Sequence, residues 1–281
     1  MKPVDFAWHL PKSVPEAVAL LGALPNARLL AGGQSLVPML NFRIAAPDHL
    51  IDLNAIDALR FIELRGDILA IGAMTTQRDI ERSELVRQYC PLLSAAIAHV
   101  GHQQTRNRGT IGGSLCHLDP SAELPVVAAA LDPMLVIAGA NRERRLRFRS
   151  FPAGYLSNSL VPGELVTSIE FPILPECGRG AFVEVARRPA DFAIVAVAAQ
   201  LVMNGTRVRS ARIAIGGLAA SPMRVEDIED MIIGKELDEA FLAGAQSCAA
   251  SLPAEGDSLN PAHYRQRLAG VLTRRALAGA A

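Results

Sequence analysis

Apolar and polar positions alternate between two periods along this chain, and the switches mark its elements. Phe6 and Trp8 sit two apart, as in a short strand. Ala17, Leu20, Leu21 and Leu24 then repeat at helical spacing, with Ser13 placed to cap and Pro15 and Glu16 in the first turn. The spacing predicts strands over 27–31 and 49–53, with a short helix after Ser35. These form a small first unit, residues 1–57. Strands are predicted over 59–64 and 68–71, helices from Thr76 to Ser83 and from 85 to 100, a helix over 121–131, and strands over 135–138, 147–151 and 166–171. Phe151 to Gly154 reads as a helix or turn. This second unit covers residues 58–172.

A third unit, residues 173–281, opens with the linker-like run 172–180. A strand is predicted over 180–187, then a turn at Arg188–Asp191. The segment 192–204 reads as opening helically before it becomes a strand. Asn204–Gly205 with the strand 207–216 is the clearest hairpin signal. Helices follow over 225–232, 238–249 and 260–278, the last with Asn260 as cap, Pro261 as first residue, and an apolar stripe of Leu268, Leu272 and Ala276.

Composition narrows the classes. Half of the 281 residues are hydrophobic and a fifth are charged, as in ordinary folded proteins. Twenty-eight basic residues balance 28 acidic ones, so no global basic field points to nucleic acid. The densest basic run, Arg142 to Arg149, reads as a solvated edge or a partner contact. No apolar run reaches the roughly 20 residues of a membrane span. The nearest, 122–140, is interrupted by Glu123, Pro125, Asp132 and Pro133. The first residues lack the zones of a secretory signal. Cys90, Cys116, Cys177 and Cys248 stand far apart with no CxxC pair, which fits a reducing compartment and argues against an iron–sulfur cluster or zinc held by this chain alone.

Candidate chemistry gathers in two glycine-rich stretches: Leu30–Ala–Gly–Gly–Gln–Ser–Leu–Val–Pro38, and Asn107 to Pro125 with Gly109, Gly112 and Gly113. Glycines admit tight turns and close backbone approach, and freed N–H groups can hold a phosphate. Asp119 is placed to cap the helix that follows, with Pro120 at its first position. Asp119 and Glu123, four apart on one helix face, could bind sugar hydroxyls or could be a cap and a solvated side chain. Arg106 and Arg108 could pair with phosphate or with carboxylates. His99 and His102 lack a third ligand and read as core or cap contacts rather than a metal site. The GxSxG, HExxH, Walker A and GxGxxG patterns are all absent. Two backbone cradles with few acid–base candidates suit a bound cofactor that carries the chemistry.

Taken in order, Ala31–Pro38, Asn41–Phe–Arg43, Leu50–Leu53, Arg106–Ser114 and Asp119–Pro125 resemble the FAD-binding medium subunit of the molybdenum hydroxylases, the group of xanthine dehydrogenase and aerobic carbon monoxide dehydrogenase. Pro189–Phe192 and the tail from Tyr264 to Leu277 extend the likeness over essentially the whole chain.

The resemblance implies an α+β protein. A two-lobed FAD-binding domain of the vanillyl-alcohol-oxidase (PCMH) type would precede a smaller C-terminal domain of antiparallel sheet plus helices. It implies FAD here, and partners elsewhere: a large subunit with molybdenum–pterin cytosine dinucleotide and a small subunit with two [2Fe–2S] clusters, joined as a dimer of heterotrimers. The place would be the cytoplasm or the inner face of the membrane. Electrons would pass from the clusters to FAD and on to an external acceptor. No residue here would be catalytic and none would bind metal.

By likeness, Ala31, Gly32, Gly33, Gln34, Ser35 and Leu36 form the pyrophosphate cradle. Gln34 stands where the carbon monoxide enzyme has His; this and Phe192 favour a heteroaromatic or other organic substrate for the complex. Thr110, Ile111, Gly112, Gly113 and Ser114 match the second loop. His117 and Asp119 stand at polar contacts, Glu123 at an acidic ribose or ribityl contact, and Leu165 and Val166 beside adenine. Asp191 and Phe192 lie beside the flavin ring, Phe192 replacing a frequent Tyr. A carbon monoxide dehydrogenase-like subunit and a stand-alone flavin oxidoreductase are the alternatives.

Overall fold

The computed structural model describes residues 2–140 and 142–281. The chain begins with β1 (Ala7–His9), α1 (Val14–Ala23), β2 (Ala27–Leu30), α2 (Leu36–Asn41) and β3 (His49–Asp52). Both β1 and β2 pair parallel with β3, giving the order β1-β3-β2. Helical crossovers make parallel pairing possible over so short a span. Ser13 caps α1 by accepting the Glu16 amide, and Pro15 lies in its first turn. Ala17 and Val18 meet Ile51, Leu53 and Leu59 in a small core.

The second group runs β4 (Ile62–Arg65), β5 (Ile68–Gly72), α3 (Gln77–Arg82), α4 (Glu84–Tyr89), α5 (Pro91–Ile97), α6 (Gln103–Arg108), α7 (Ile111–His117) and α8 (Glu123–Leu131). It continues through β6 (Met134–Ala138), β7 (Glu143–Arg147), β8 (Pro152–Gly154), β9 (Ser157–Asn158) and β10 (Leu165–Pro172). Five of these strands form an antiparallel sheet in the order β4-β5-β10-β6-β7.

Four expectations are corrected here. The single helix over 85–100 is two, because Pro91 disfavours helical backbone at Cys90 (φ −140°, ψ 59°) and starts α5 afresh. Residues 57–59 form a tight 3-10 turn that buries Leu59, so the strand starts only at Ile62. The strand expected over 147–151 ends at Arg147; residues 148–150 turn to bury Phe148 and Phe151. Residues 152–154 form neither helix nor turn but pair with β9.

The third group is β11 (Gly178–Ala186), β12 (Ala193–Asn204), β13 (Arg207–Gly216), β14 (Met223–Arg224), α9 (Glu226–Ile232), α10 (Glu239–Ala250) and α11 (Ala262–Ala280). Its sheet is antiparallel, β11-β12-β13-β14. The β12–β13 hairpin turns at Asn204–Gly205 as the sequence predicts, with Gly205 at φ +61°.

Strand β12 is strand throughout, which corrects the helical opening. Ala196 and Ala198 face α5 and α8 in one core, whereas Val195, Val197, Ala199 and Leu201 face the C-terminal helices in another. A strand buried on both faces reads as a continuous apolar run, and periodicity cannot separate that from a buried helix. Helix α11 starts one residue later than expected, with Pro261 rather than Asn260 at the cap. Its Leu272 and Ala276 stripe is buried and Leu268 packs at the margin. Among the described residues no helix is long and apolar enough to cross a membrane.

Candidate functional site

The first loop, residues 31–36, leaves β2 and enters α2. Gly33 adopts φ +76°, a conformation that a side chain disfavours. Gly32 is required for a different reason. A Cβ there would overlap the Arg108 carbonyl oxygen and lie 2.7 Å from the Arg108 carbonyl carbon and 2.8 Å from Gly109 Cα. The two glycine-rich stretches therefore touch backbone to backbone. Among the described residues, the amides of Gly33, Gln34 and Ser35 find no hydrogen-bond partner within the chain, and Ser35 makes no side-chain cap. These N–H groups remain free to donate.

The loop is held by residues that no motif marks. Asn54 donates through Nδ2 to Ala31 O (3.0 Å) and to Asp52 Oδ1 (2.6 Å). Arg60 donates through Nη2 to Asn54 Oδ1 (3.0 Å) and through Nη1 to Met74 O (3.3 Å). This chain of bonds ties the first sheet to the second.

The second stretch differs from its expected form. It is a helix, α7, and not an open loop. Thr110 caps it by accepting the Gly113 amide at 3.1 Å. The Ile111 amide donates to Thr75 O and the Gly112 amide to Ala73 O, and Ser114 N closes on Thr110 O. These amides are taken, so N–H groups freed for a phosphate are found in the first loop and not here. Gly112 lets α7 sit on the segment just after β5: a Cβ would approach Ala73 O to 2.7 Å. What α7 keeps available is the Ser114 side chain and a small glycine surface.

Gln77 lines the same junction, and no sequence motif marks it. Its backbone N–H donates to Gly109 O, while its buried Oε1 lies against Gly109 without a partner among the described residues. Nothing in the sequence distinguishes it from any first-turn glutamine. Cys116, in α7, is a thiol pushed up to about 12 by burial, which removes it as a nucleophile at neutral pH.

Asp119 does not cap α8. Its Oδ1 accepts the Ser121 amide at 2.9 Å and closes a local turn, while Ala122 occupies the cap position and Pro120 lies outside the helix. Asp119 and Glu123 consequently do not share a helix face. Glu123 is the first residue of α8 and is 5% exposed. Burial raises its carboxyl from the ordinary 4.5 to about 7; Glu184 and Asp119 add to the rise and His99 opposes it.

The folded chain thus holds this proton more tightly than the unfolded chain. The resulting stabilisation is full at low pH and is lost as pH rises from 4.5 towards about 7. At about pH 8 Glu123→Gln is expected to be more stable than the native chain by on the order of 3 kcal/mol, the two converging near pH 4. Urea unfolding of both chains across pH checks this, and a difference that stays constant with pH contradicts it.

His99 follows α5 and His102 precedes α6. His99 Nδ1 lies 3.2 Å from Glu184 Oε1, and that bond raises the imidazole above its usual value against the opposing effect of burial. Among the described residues no group of three His, Cys, Asp or Glu side chains is placed to hold a metal ion. Arg106 pairs with Glu81 through both Nε and Nη2 and donates through Nη1 to Val100 O and Gly101 O, so it serves the carboxylate alternative.

The remaining candidates are dispersed. Leu165 and Val166 are both buried at the start of β10. Leu165 packs into the core of the first sheet and Val166 into that of the second, on opposite faces. His117 ends α7 and is half-buried. Asp191 and Phe192 stand on the turn before β12, Phe192 66% exposed. A cavity of about 570 Å³ lies between this turn and α6, lined by His99, His102, Arg106, Glu184, Arg187 and Arg188.

Comparison with known proteins gives the family. Residues 4–174 match the FAD binding domain in molybdopterin dehydrogenase, and residues 180–280 match the CO dehydrogenase flavoprotein C-terminal domain. The chain is 37% identical to the caffeine dehydrogenase subunit beta of a Pseudomonas species, over all of this chain and 96% of that one. It superposes on carbon monoxide dehydrogenase from Hydrogenophaga pseudoflava with a TM-score of 0.96 at 37% identity, covering 100% of this chain and 98% of the other. For quinoline 2-oxidoreductase from Pseudomonas putida 86 the TM-score is 0.95 at 37% identity, with 100% and 98% covered.

The fold and its paired glycine loops are those of a two-domain flavoprotein, with a PCMH-like FAD-binding domain followed by an antiparallel-sheet domain. The chain belongs to the FAD-binding medium subunits of the molybdenum hydroxylase family, which transfer electrons.

Proposed function

We propose that this chain binds one FAD with its pyrophosphate on the free amides of Gly33, Gln34 and Ser35. In this reading it takes electrons from two [2Fe–2S] clusters of a small partner subunit and passes them to an external acceptor. A large partner holding molybdenum–pterin cytosine dinucleotide hydroxylates a heteroaromatic or other organic substrate, as Gln34 and Phe192 together favour, and the whole is a dimer of heterotrimers in the cytoplasm. The bound flavin supplies the two-electron chemistry.

The observation that carries this reading is the first loop. Its three amides lack partners among the described residues, and its Gly32 leaves no room for a Cβ against the second stretch. Backbone donors at such a turn suit the delocalised charge of a pyrophosphate. This chain's own work is to bind and orient. Thr110, Ile111, Gly112, Gly113 and Ser114 offer a close surface and the Ser114 hydroxyl to the ribityl chain, and Ala31 and Leu36 flank the cradle. Glu123 offers a buried acceptor to a flavin hydroxyl, and His117 and Asp119 border the same stretch. The start of β10 at Leu165 and Val166 brings its backbone to the adenine side, and Asp191 and Phe192 border the ring and limit water there.

Acid extraction of the complex purified through this chain tests the reading. It is expected to release FAD, one per chain. Release of FMN, or of no flavin, overturns it.

A further inference from the structure

We propose that Arg60 is a positioning residue for the flavin: it joins the two glycine-rich stretches through hydrogen bonds and holds the cradle in its binding shape without touching the cofactor. The proposal rests on the functional reading above, which sets the pyrophosphate on the first loop.

Arg60 follows the tight turn at 57–59 and lies in none of the motifs. Its guanidinium reaches in two directions. Nη2 donates to Asn54 Oδ1 at 3.0 Å and to Asn54 O at 3.3 Å, while Nη1 donates to Met74 O at 3.3 Å. Asn54 carries the first branch to the cradle, through Nδ2 to Ala31 O at 3.0 Å. Met74 carries the second. On either side of it stand Ala73 and Thr75, whose carbonyls accept the Gly112 and Ile111 amides at the start of α7. One side chain thus braces both the entry to the first loop and the segment on which α7 sits.

The Asn54 branch has a single orientation. Its Nδ2 meets two acceptors, Ala31 O and Asp52 Oδ1 (2.6 Å), and its Oδ1 meets a donor, Arg60. A flipped carboxamide would set oxygen against both acceptors and nitrogen against the donor. The Asn54 N–H also goes to Asp52 Oδ1, at 2.9 Å, and Asp52 is buried. The peptide bond is planar, so a held Ala31 carbonyl fixes the plane that leads into Gly32 and Gly33. Donors already in place bind an anion without first ordering the loop.

The bonding of Arg60 suits this task. Among the described residues it pairs with no carboxylate, and its side-chain bonds all go to carbonyl oxygens of the two segments it joins. Hydrogen bonds from a charged donor are among the stronger ones, and removing the donor leaves Asn54 Oδ1 and the buried Met74 without it.

The rate at which FAD leaves complexes purified through native and variant chains, followed by flavin fluorescence after dilution, tests the proposal. Arg60→Met is expected to release FAD about 10-fold faster or more. Asn54→Asp keeps the size but sets a carboxylate against Ala31 O and Asp52, and is expected to release it at least as fast. Arg60→Lys keeps the charge without the fork and is expected to fall between native and Arg60→Met, which keeps the test open where Arg60→Met holds no flavin. Arg60→Met combined with Asn54→Ala is expected to be no worse than the worse of the two alone, because both cut one relay. Glu229→Ala in α9 is the control for lost stability, expected to unfold at lower urea and to release FAD at the native rate. Native release from Arg60→Met and Arg60→Lys overturns the proposal. So does a double variant in which the two effects multiply, or a Glu229→Ala complex that loses FAD as fast as Arg60→Met. A native complex without flavin overturns the functional reading and this proposal together.

Discussion

Gly32→Ala is expected to abolish flavin retention by the complex and to lower the stability of the chain by about 3 kcal/mol. The added carbon would overlap the Arg108 carbonyl oxygen and crowd Gly109 Cα. Its neighbours are backbone atoms, so no rotamer change relieves the clash. The first loop must lift from the second stretch, which breaks the Asn54–Ala31 bond and moves the free amides. Flavin per chain and the urea midpoint report the two effects. Gly22→Ala in α1 is the control: nothing lies within 4 Å of its Cβ, and helix propensity there gains up to about 1 kcal/mol. A Gly32→Ala complex with full flavin and an unchanged midpoint would mean the loops are not packed as described.

Glu229→Ala is expected to cost about 3–5 kcal/mol. This carboxylate in α9 accepts from Arg224 Nε (2.9 Å) and Nη2 (2.7 Å) and from the Ile213 amide (2.8 Å). Its side chain is nearly buried. Truncation leaves a half-buried guanidinium and a buried backbone donor unpaired, and each carries a desolvation cost. The pair fixes α9 and β14 against β13. Glu229→Gln keeps an acceptor for the amide and is expected to lose less. A Glu229→Ala loss below about 1 kcal/mol would place this ion pair with ordinary surface pairs.

Local chemistry made part of this molecule legible in its sequence. The Asn204–Gly205 hairpin, the Ser13 and Asp238 helix starts and both glycine stretches follow from residue types that act on their own backbone. Helix α7 did not, because Ile111–Gly112–Gly113 carries poor helix propensity and is held by tertiary bonds to Ala73 and Thr75. The cap at Asp119 failed for a related reason: an Asx turn satisfied the same side chain three residues early. Strand β12 is only half legible in the sequence because both its faces are buried.

The candidate site divides in the same way. Its two glycine stretches stand out in the sequence by residue type, whereas the burial of Glu123 does not: the pattern leaves that side chain open between a sugar contact and a solvated position. Asn54, Arg60, Gln77 and the His99–Glu184 contact depend on which distant segments meet, and no local pattern records that.

The measurement that bears most directly on the proposed electron-outlet role is the absorption spectrum of the native complex purified through this chain, with metal and subunit analysis of the same sample. Flavin bands with [2Fe–2S] absorption, molybdenum and two co-purifying subunits are the predicted result. A lone chain that carries flavin without iron or molybdenum, or a complex without flavin bands, would contradict it.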